Sequence, residues 1–372
     1  MKNIPFSNPD ITQNELNAVC EAINSGWLTH GKYSERLEEL FCEFTGARFA
    51  TTVSNCTAGL HLSCLAAGFG SGDEVIVPAQ THTATAHAVE YTGARAVFAD
   101  VHAVTGNILI EEIEKKLTSK SKGIIPVHMA GYPCDINEII KICDLYNLVL
   151  IEDCAHALGT RYKDKHTGNF GITGNFSFYP TKQITTGEGG IVISNEESVI
   201  NFIKKHKAFG IDTPPEIRTR PGMYDVRGLG YNYRMTNFQA ALGVGQMERY
   251  EKNLKKRQAN GKLYTELLKN NDLLNFPDFT SENSYFLFQL ILKKHLNRDR
   301  VITRLKEKGI GVSIHYATPV PIMTYYREKY GYISKEFPNA IEYGNQSISL
   351  PVYPKLTTED IQYIVDTIQE II

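Results

Sequence analysis

The chain has 372 residues, 42% of them apolar and 22% charged, with a formal net charge of -2. This is globular composition at a length beyond one simple core, and the near-neutral charge excludes a general affinity for nucleic acid or anionic membrane. No run reaches transmembrane length, the N-terminus lacks a signal-type apolar region and the seven cysteines contain no C-x-x-C pair, so a soluble cytoplasmic protein with buried, reduced thiols is expected.

In chain order, residues 10–24 place Leu16, Val19, Cys20 and Ile23 at helical spacing behind Asp10 or Thr12 as cap, and Ser25-Gly26 stops the helix. A glycine-bounded loop at 27–31 holds the only tryptophan, and 33–44 forms a second amphipathic helix. From residue 49 strands and helices alternate, the pattern of a parallel sheet covered by helices. Strands are expected at 49–53, 74–78, 96–99, 123–128 and 148–152, with helices at 57–67, 83–91, 110–117 and 136–146; two more strands, at 175–179 and 191–194, make seven. Unbroken apolar runs such as Val75-Ile-Val77 and Leu148-Val-Leu-Ile151 suit strands buried on both faces. The expected fold is therefore α/β, three layers (α/β/α) around a mostly parallel seven-stranded sheet. Residues 209–232, with Arg218, Arg220 and Arg227, are too long for a routine connection and read as a functional or interface segment. A long helix over 236–269 then leads to a smaller α+β unit with a strand-like 285–292, a helix at 298–308, a strand-like 312–316 and a final helix at 358–371. The domain division is 1–250 and 251–372.

One lysine stands out. The run Asn175-Phe-Ser-Phe-Tyr179 reads as a strand, Pro180 ends it, and Lys182 follows just before the glycine-rich Gly187-Glu-Gly-Gly190. An α/β sheet places its ligands beyond such a strand end, and a lysine held there can lose its proton and attack a carbonyl. If the carbonyl belonged to pyridoxal phosphate, a buried carboxylate would be needed beside the ring nitrogen, and Asp153 follows the apolar strand at 148–152. The phosphate would need a helix start with small hydroxyls, which Ser54-Asn-Cys-Thr-Ala-Gly59 offers together with Ser177. His82, just past another strand, could stack on the ring. Read singly, these residues are a surface lysine, a helix cap, an ordinary N-terminal turn and a capping histidine; together they converge on one sheet edge. The competing chemistry is a metal-dependent hydrolase using strand-end His82, His87, His102, His128, Asp100, Asp153 and His156, but none shows a recognised spacing such as H-E-x-x-H. A non-catalytic relative would leave Lys182 without a purpose.

These residues resemble the DegT/DnrJ/EryC1/StrS family of sugar aminotransferases, which has the type I aspartate aminotransferase fold, over nearly the whole chain. The likeness is carried by Ser25-Gly-Trp-Leu-Thr-His-Gly31, Ser54-Asn-Cys-Thr-Ala-Gly-Leu60, Ile151-Glu-Asp-Cys-Ala-His-Ala-Leu-Gly159, Ser177-Phe-Tyr-Pro-Thr-Lys182 with Gly187-Glu-Gly-Gly190, and Gly230-Tyr-Asn-Tyr-Arg-Met235. The chain departs from the family pattern at Cys56, Gly59, His82, His156, Tyr179 and Pro321. The resemblance implies pyridoxal 5'-phosphate held by Lys182, with Asp153 at the ring nitrogen, His156 near the ring hydroxyl, and Thr57, Ala58 and Ser177 at the phosphate. It also implies a homodimer with shared active sites, Asn232 reaching the neighbouring subunit's phosphate. Lysine rather than histidine at position 182 favours amino transfer over dehydration. L-glutamate is the implied donor, with 2-oxoglutarate leaving. A keto sugar is the implied acceptor, most readily at C4 of a nucleotide-linked 4-keto-6-deoxyhexose for surface-polysaccharide or other glycan synthesis. Amination at C3, or of an octulosonate-type sugar, is the alternative. Thr29, Glu188 and Tyr316 are the expected sugar contacts, and no metal is required.

Overall fold

Alternating burial along short strands sets the architecture. In the strand Glu74–Pro78, Val75 and Val77 belong to one core cluster and Ile76 to another, and in Arg95–Ala99 the pairs Ala96/Phe98 and Val97/Ala99 divide in the same way. Successive side chains leave a strand on opposite faces, so both faces of this sheet are covered. The computed structural model describes residues 2–211, 220 and 222–372, so Arg218 lies outside the described residues.

The strands are β1 (Phe49–Val53), β2 (Glu74–Pro78), β3 (Arg95–Ala99), β4 (Ser121–Ile124), β5 (Val149–Asp153), β6 (Arg161–Tyr162), β7 (Lys165–His166), β8 (Thr173–Ser177), β9 (Gly190–Ser194), β10 (Leu274–Asn275), β11 (Phe288–Leu292) and β12 (Ser347–Leu350). Seven form the central sheet in the order β1-β9-β8-β5-β4-β2-β3. Every neighbour pair is parallel except those made by β9, which runs against both β1 and β8. The expected three-layer, mostly parallel α/β fold is what the structure shows. The carboxyl ends of β1, β2, β5 and β8 therefore share one edge, and the reversed β9 brings its first residue, Gly190, to that edge as well. Sheet edges of this kind are where α/β proteins bind ligands.

A second core surrounds the antiparallel sheet β10-β11-β12, where Leu274, Phe288, Leu290, Ile348 and Leu350 meet the helices Tyr250–Leu268, Arg298–Glu307 and Thr358–Ile371. Ile4 joins this core from the other end of the chain, its N–H donating to the Gly309 carbonyl at 2.9 Å. The segment from Val320 to Ala340 returns to the large sheet, where Val320, Tyr326, Tyr332, Phe337 and Ala340 pack on Val75, Val77 and Phe98. Among the described residues no helix is long and apolar enough to cross a membrane, and all seven cysteines are unpaired.

Three expectations change. The long helix expected over 236–269 is two helices, Asn237–Glu248 and Tyr250–Leu268. Arg249 separates them because its guanidinium takes the Gly245 carbonyl at 2.7 Å and pairs with Glu15 and Asp10, binding that its own N–H would otherwise continue. The strand expected at 312–316 is reduced to one bridge, Ser313 with Ser349, since the Tyr316 carbonyl accepts instead from Gln80 Nε2 at 2.6 Å. The helices Glu197–His206, Thr324–Tyr330 and Pro338–Gln346 and strand β12 were not anticipated by periodicity.

The helix Tyr250–Leu268 lies hard against the connection before β11. A methyl group added at Gly261 would come within 2.4 Å of the ring of Tyr285, which is fully buried. Alanine normally strengthens a helix by up to about 1 kcal/mol over glycine. Overpacking a rigid ring costs about 1–3 kcal/mol and should win. Gly261→Ala is therefore expected to lower thermal stability, a sign that a melting curve reads directly.

Candidate active site

The shared sheet edge opens into a cavity of about 920 Å³. Of the residues singled out from sequence, Thr57, Ala58, His82, Asp153, His156, Ser177, Lys182, Glu188 and Tyr316 all line it. Two do not. Thr29 is exposed on its loop, and Asn232 turns its amide oxygen to Arg234 at 3.2 Å. Of the 209–232 segment, Tyr231 lines the cavity, while Arg220 and Arg227 do not.

Asp153 ends β5 and is 3% exposed. Its Oδ2 accepts from the Thr85 hydroxyl at 2.7 Å and its Oδ1 from the Ala155 N–H at 3.0 Å. Burial pushes the Asp153 carboxyl above the usual range, and those two donors together with the Lys182 and His82 charges pull it back only in part. Its neighbour Glu152 is treated in the opposite way. It is wholly buried but accepts from the N–H groups of Gly168, Phe170 and Gly171 at 2.7–2.9 Å and from His128 Nε2 at 3.0 Å. Burial acts to raise its pKa, and the donors outweigh it and hold Glu152 below the usual range. The Cys134 N–H donates to His128 Nδ1 at 3.0 Å, which leaves the ring proton on Nε2 to donate to Glu152 and makes a neutral His128 sufficient for this contact.

Lys182 sits in the turn after β8, its N–H bonded to the Tyr179 carbonyl and its Nζ 4.3 Å from the centre of the Phe286 ring. Burial lowers its ammonium to about 8, with Cys56 and Asp153 acting the other way. His156 is buried, stacks on Phe286 at 4.5 Å, accepts from the Ala130 N–H and meets the Tyr316 hydroxyl through Nε2 at 3.2 Å. Burial and the Lys182 charge keep His156 neutral, well below the ordinary histidine value. His82 caps the helix Thr83–Glu90, with its Nδ1 accepting from the Ala84 N–H, and lies edge-on to Tyr316 at 5.6 Å.

The helix Cys56–Ala66 begins at the cavity. Asn55 caps it and takes the Ala58 N–H at 2.8 Å, so the donors left open are the N–H groups of Cys56 and Thr57 and the Thr57 hydroxyl, none with a protein acceptor among the described residues. The first residue of β9 presses against this turn: a Cβ at Gly190 would lie 2.7 Å from the Cys56 nitrogen and 2.8 Å from the Asn55 carbonyl carbon. Only glycine allows that approach. Unpaired N–H groups at a helix start, a hydroxyl, a half-buried amine and a buried acid form a donor set that fits an aldehyde-bearing, phosphorylated pyridine.

The strand-end histidines considered for metal binding go elsewhere. His87 bonds Tyr326 at 2.7 Å, and Asp100 caps the helix Pro338–Gln346 through the Asn339 and Ala340 N–H groups. Among the described residues only His128, Glu152 and Cys154 converge, and the hydrogen bonds above already occupy the His128 nitrogens and both Glu152 oxygens. Sequence reasoning missed Thr85 and Gln183, the latter donating to the His156 carbonyl at 2.8 Å. Thr85 was findable as the residue one helical turn after Thr81, next to the end of β2.

A sequence model described as the DegT/DnrJ/EryC1/StrS aminotransferase family matches residues 9–369. GDP-perosamine synthase of Escherichia coli O157:H7 is 36% identical over 374 residues, covering 100% of this chain and 99% of the relative. A putative sugar aminotransferase from Streptococcus pneumoniae superposes with a TM-score of 0.92 in its PMP form, at 29% identity over 99% of both chains. Its PLP form gives a TM-score of 0.91 at 30% identity, over 100% of this chain and 98% of the other.

In the cofactor-free protein the Lys182 amine should react with a lysine-selective acylating reagent along a pH curve with its midpoint at about 8. Mass mapping of the labelled peptide across pH reads this midpoint. One near the ordinary 10.5 would mean that burial does not depress the ammonium.

Proposed function

The chain belongs to the DegT/DnrJ/EryC1/StrS aminotransferase family, whose members use pyridoxal phosphate, and from that premise we propose that it moves an amino group from L-glutamate to a keto sugar. The substrate we favour is a nucleotide-linked 4-keto-6-deoxyhexose, aminated at C4 for surface-polysaccharide or other glycan synthesis. The observation that carries this reading is one cavity holding Lys182, with its lowered pKa, beside the buried Asp153. Two supports for the sugar class are the 36% identical relative, whose name gives a GDP-linked product, and the Gly187-Glu188-Gly-Gly190 wall.

In this reading Lys182 holds the aldehyde end of the cofactor and Asp153 its ring nitrogen. Thr57, Ser177 and the open N–H groups at the start of the Cys56–Ala66 helix hold the phosphate. Ala58 lines the same turn, its own N–H given to Asn55. His156 lies at the ring hydroxyl and His82 at the ring face. When bound, the cofactor supplies an electron sink for negative charge at the carbon losing its proton. Lys182 Nζ is the base and acid of the site. With a pKa of about 8 it exchanges protons readily near neutral pH, where an ordinary lysine stays charged. Asp153, whose ionised form its two donors favour against burial, would hold the opposing positive charge in place. Tyr316 lines the cavity, and Phe286 backs the Lys182 amine, its ring centre 4.3 Å from Nζ.

Glu188 and Tyr316 take the sugar. Glu188 is exposed at the cavity wall, and its loop is fixed by the Thr186 hydroxyl and Gln239 Nε2, both donating to its carbonyl at 2.8 Å. Thr29 and Asn232, absent from the cavity of their own chain, serve that of a second copy, so the working unit is a homodimer in the cytoplasm. The exposed Trp27, Leu28, Leu229 and Phe238 favour such a contact.

The purified protein should be yellow, and glutamate should bleach the visible band. Borohydride should tether a pyridoxyl group to Lys182, and Lys182→Ala should lower turnover by about 10²–10⁴-fold with the fold retained. A panel of nucleotide-linked keto sugars with glutamate, read by mass for the amino product, tests the acceptor. A colourless protein, or turnover retained in Lys182→Ala, would overturn the assignment.

A further inference from the structure

We propose that Thr85 is a positioning residue for the amino-transfer reaction: its hydroxyl, oriented by Thr81, holds the Asp153 carboxylate ionised and aimed into the cavity, and so governs how firmly the cofactor's ring nitrogen keeps its proton. The inference rests on the role proposed above for Asp153.

The geometry is a short relay. Thr81 and Thr85 Oγ1 atoms lie 2.7 Å apart, and Thr85 Oγ1 lies 2.7 Å from Asp153 Oδ2. All three residues are 3% exposed or less. A hydroxyl has one proton to give, and an ionised carboxylate only accepts. The Thr85 proton therefore goes to Asp153, and Thr81 must supply the bond between the threonines. The direction of the relay is fixed by the charge on Asp153 and reverses only if that acid takes a proton. Because the donor bonds the charged form, it favours that form.

Local structure explains the placement. Residues 81 and 85 stand four apart across the start of the Thr83–Glu90 helix, with Thr85 bonded to the acid at the end of β5, while Thr81 and His82 both line the cavity. A single turn thus places a ring and the Thr81 hydroxyl at the cavity wall and the Thr85 hydroxyl on the acid. The other groups near Asp153 do different work. Lys182 and His82 act on it through charge, and Cys56, Cys154 and Tyr316 are protonated groups kept neutral by burial. Among the described residues no other side chain donates a hydrogen bond to Asp153, and the Ala155 N–H serves its second oxygen. The contrast with Glu152, which has four donors, shows how little support Asp153 receives and how much of it is this one hydroxyl.

Two variants separate the hydroxyl from the packing. Thr85→Val keeps the branched shape without the hydroxyl, and Thr85→Ser keeps the hydroxyl without the methyl. In the cofactor-free protein, the infrared carboxyl band that vanishes in Asp153→Asn reports the titration of this acid. Thr85→Val should raise its midpoint by about one pH unit, and Thr85→Ser should leave it in place. The dissociation constant for pyridoxal phosphate should rise about tenfold in Thr85→Val, more at pH 6 than at pH 8, and less than about twofold in Thr85→Ser. An unchanged titration in Thr85→Val, or equal effects of the two variants, would overturn the inference. Failure of the wild-type protein to bind pyridoxal phosphate would overturn the function proposed above, while the infrared titration would still decide the Thr85 contact.

Discussion

Two adjacent acids at the end of one strand are given unequal hydration substitutes, and the cavity depends on that inequality. Glu152 receives four donors and is as well solvated as a buried carboxylate can be. In return it ties the turn at His128 and the loop at 168–171 to the end of β5. Asp153, pointing the opposite way because strand side chains alternate, receives two. The first acid makes the sheet edge rigid. The second, left short of partners on that rigid edge, retains capacity for a cation or an N–H entering from the cavity.

Around that acid the sheet supplies placement rather than chemistry. Parallel strands bring four carboxyl ends to one edge, and the single reversed strand, β9, brings a glycine there that lets backbone approach backbone at the Asn55–Cys56 turn. A side chain at position 190 would push the helix start away from β9 and open the cradle. Lys182 then needs no special partner: burial beside Phe286 is enough to make its amine available near neutral pH.

Much of this was legible in the amino-acid order. The seven central strands were found because long apolar runs leave few alternatives, and the helix expected at 136–146 is Ile136–Tyr146. Lys182, Asp153, Ser177, Thr57 and His82 could be assigned to one edge because each follows a strand, and strand ends in a parallel sheet are neighbours. What escaped was set by distant contacts. The break at Arg249 depends on Glu15 and Asp10, more than two hundred residues away. The segment at 312–316 gives up its ladder to reach Gln80, and the tyrosine-rich helix Thr324–Tyr330 has too short an apolar face to show a period. Thr85 hid among residues that look like ordinary helix-start polarity, since nothing in sequence says which hydroxyl meets a buried acid.

The return of the segment from Val320 to Ala340 onto the large sheet has a consequence for biosynthesis. Val320, Tyr326, Phe337 and Ala340 complete the cover over Val75, Val77 and Phe98, and the Val320 N–H caps the carbonyl of Ala79 at 2.9 Å. A nascent chain still threaded in the ribosome at residue 300 has made every strand of the central sheet yet leaves that face wet and the Tyr316 wall unbuilt. The cavity wall is therefore completed only once residues 320–340 have docked, and a partly folded chain exposes apolar surface beside finished strands.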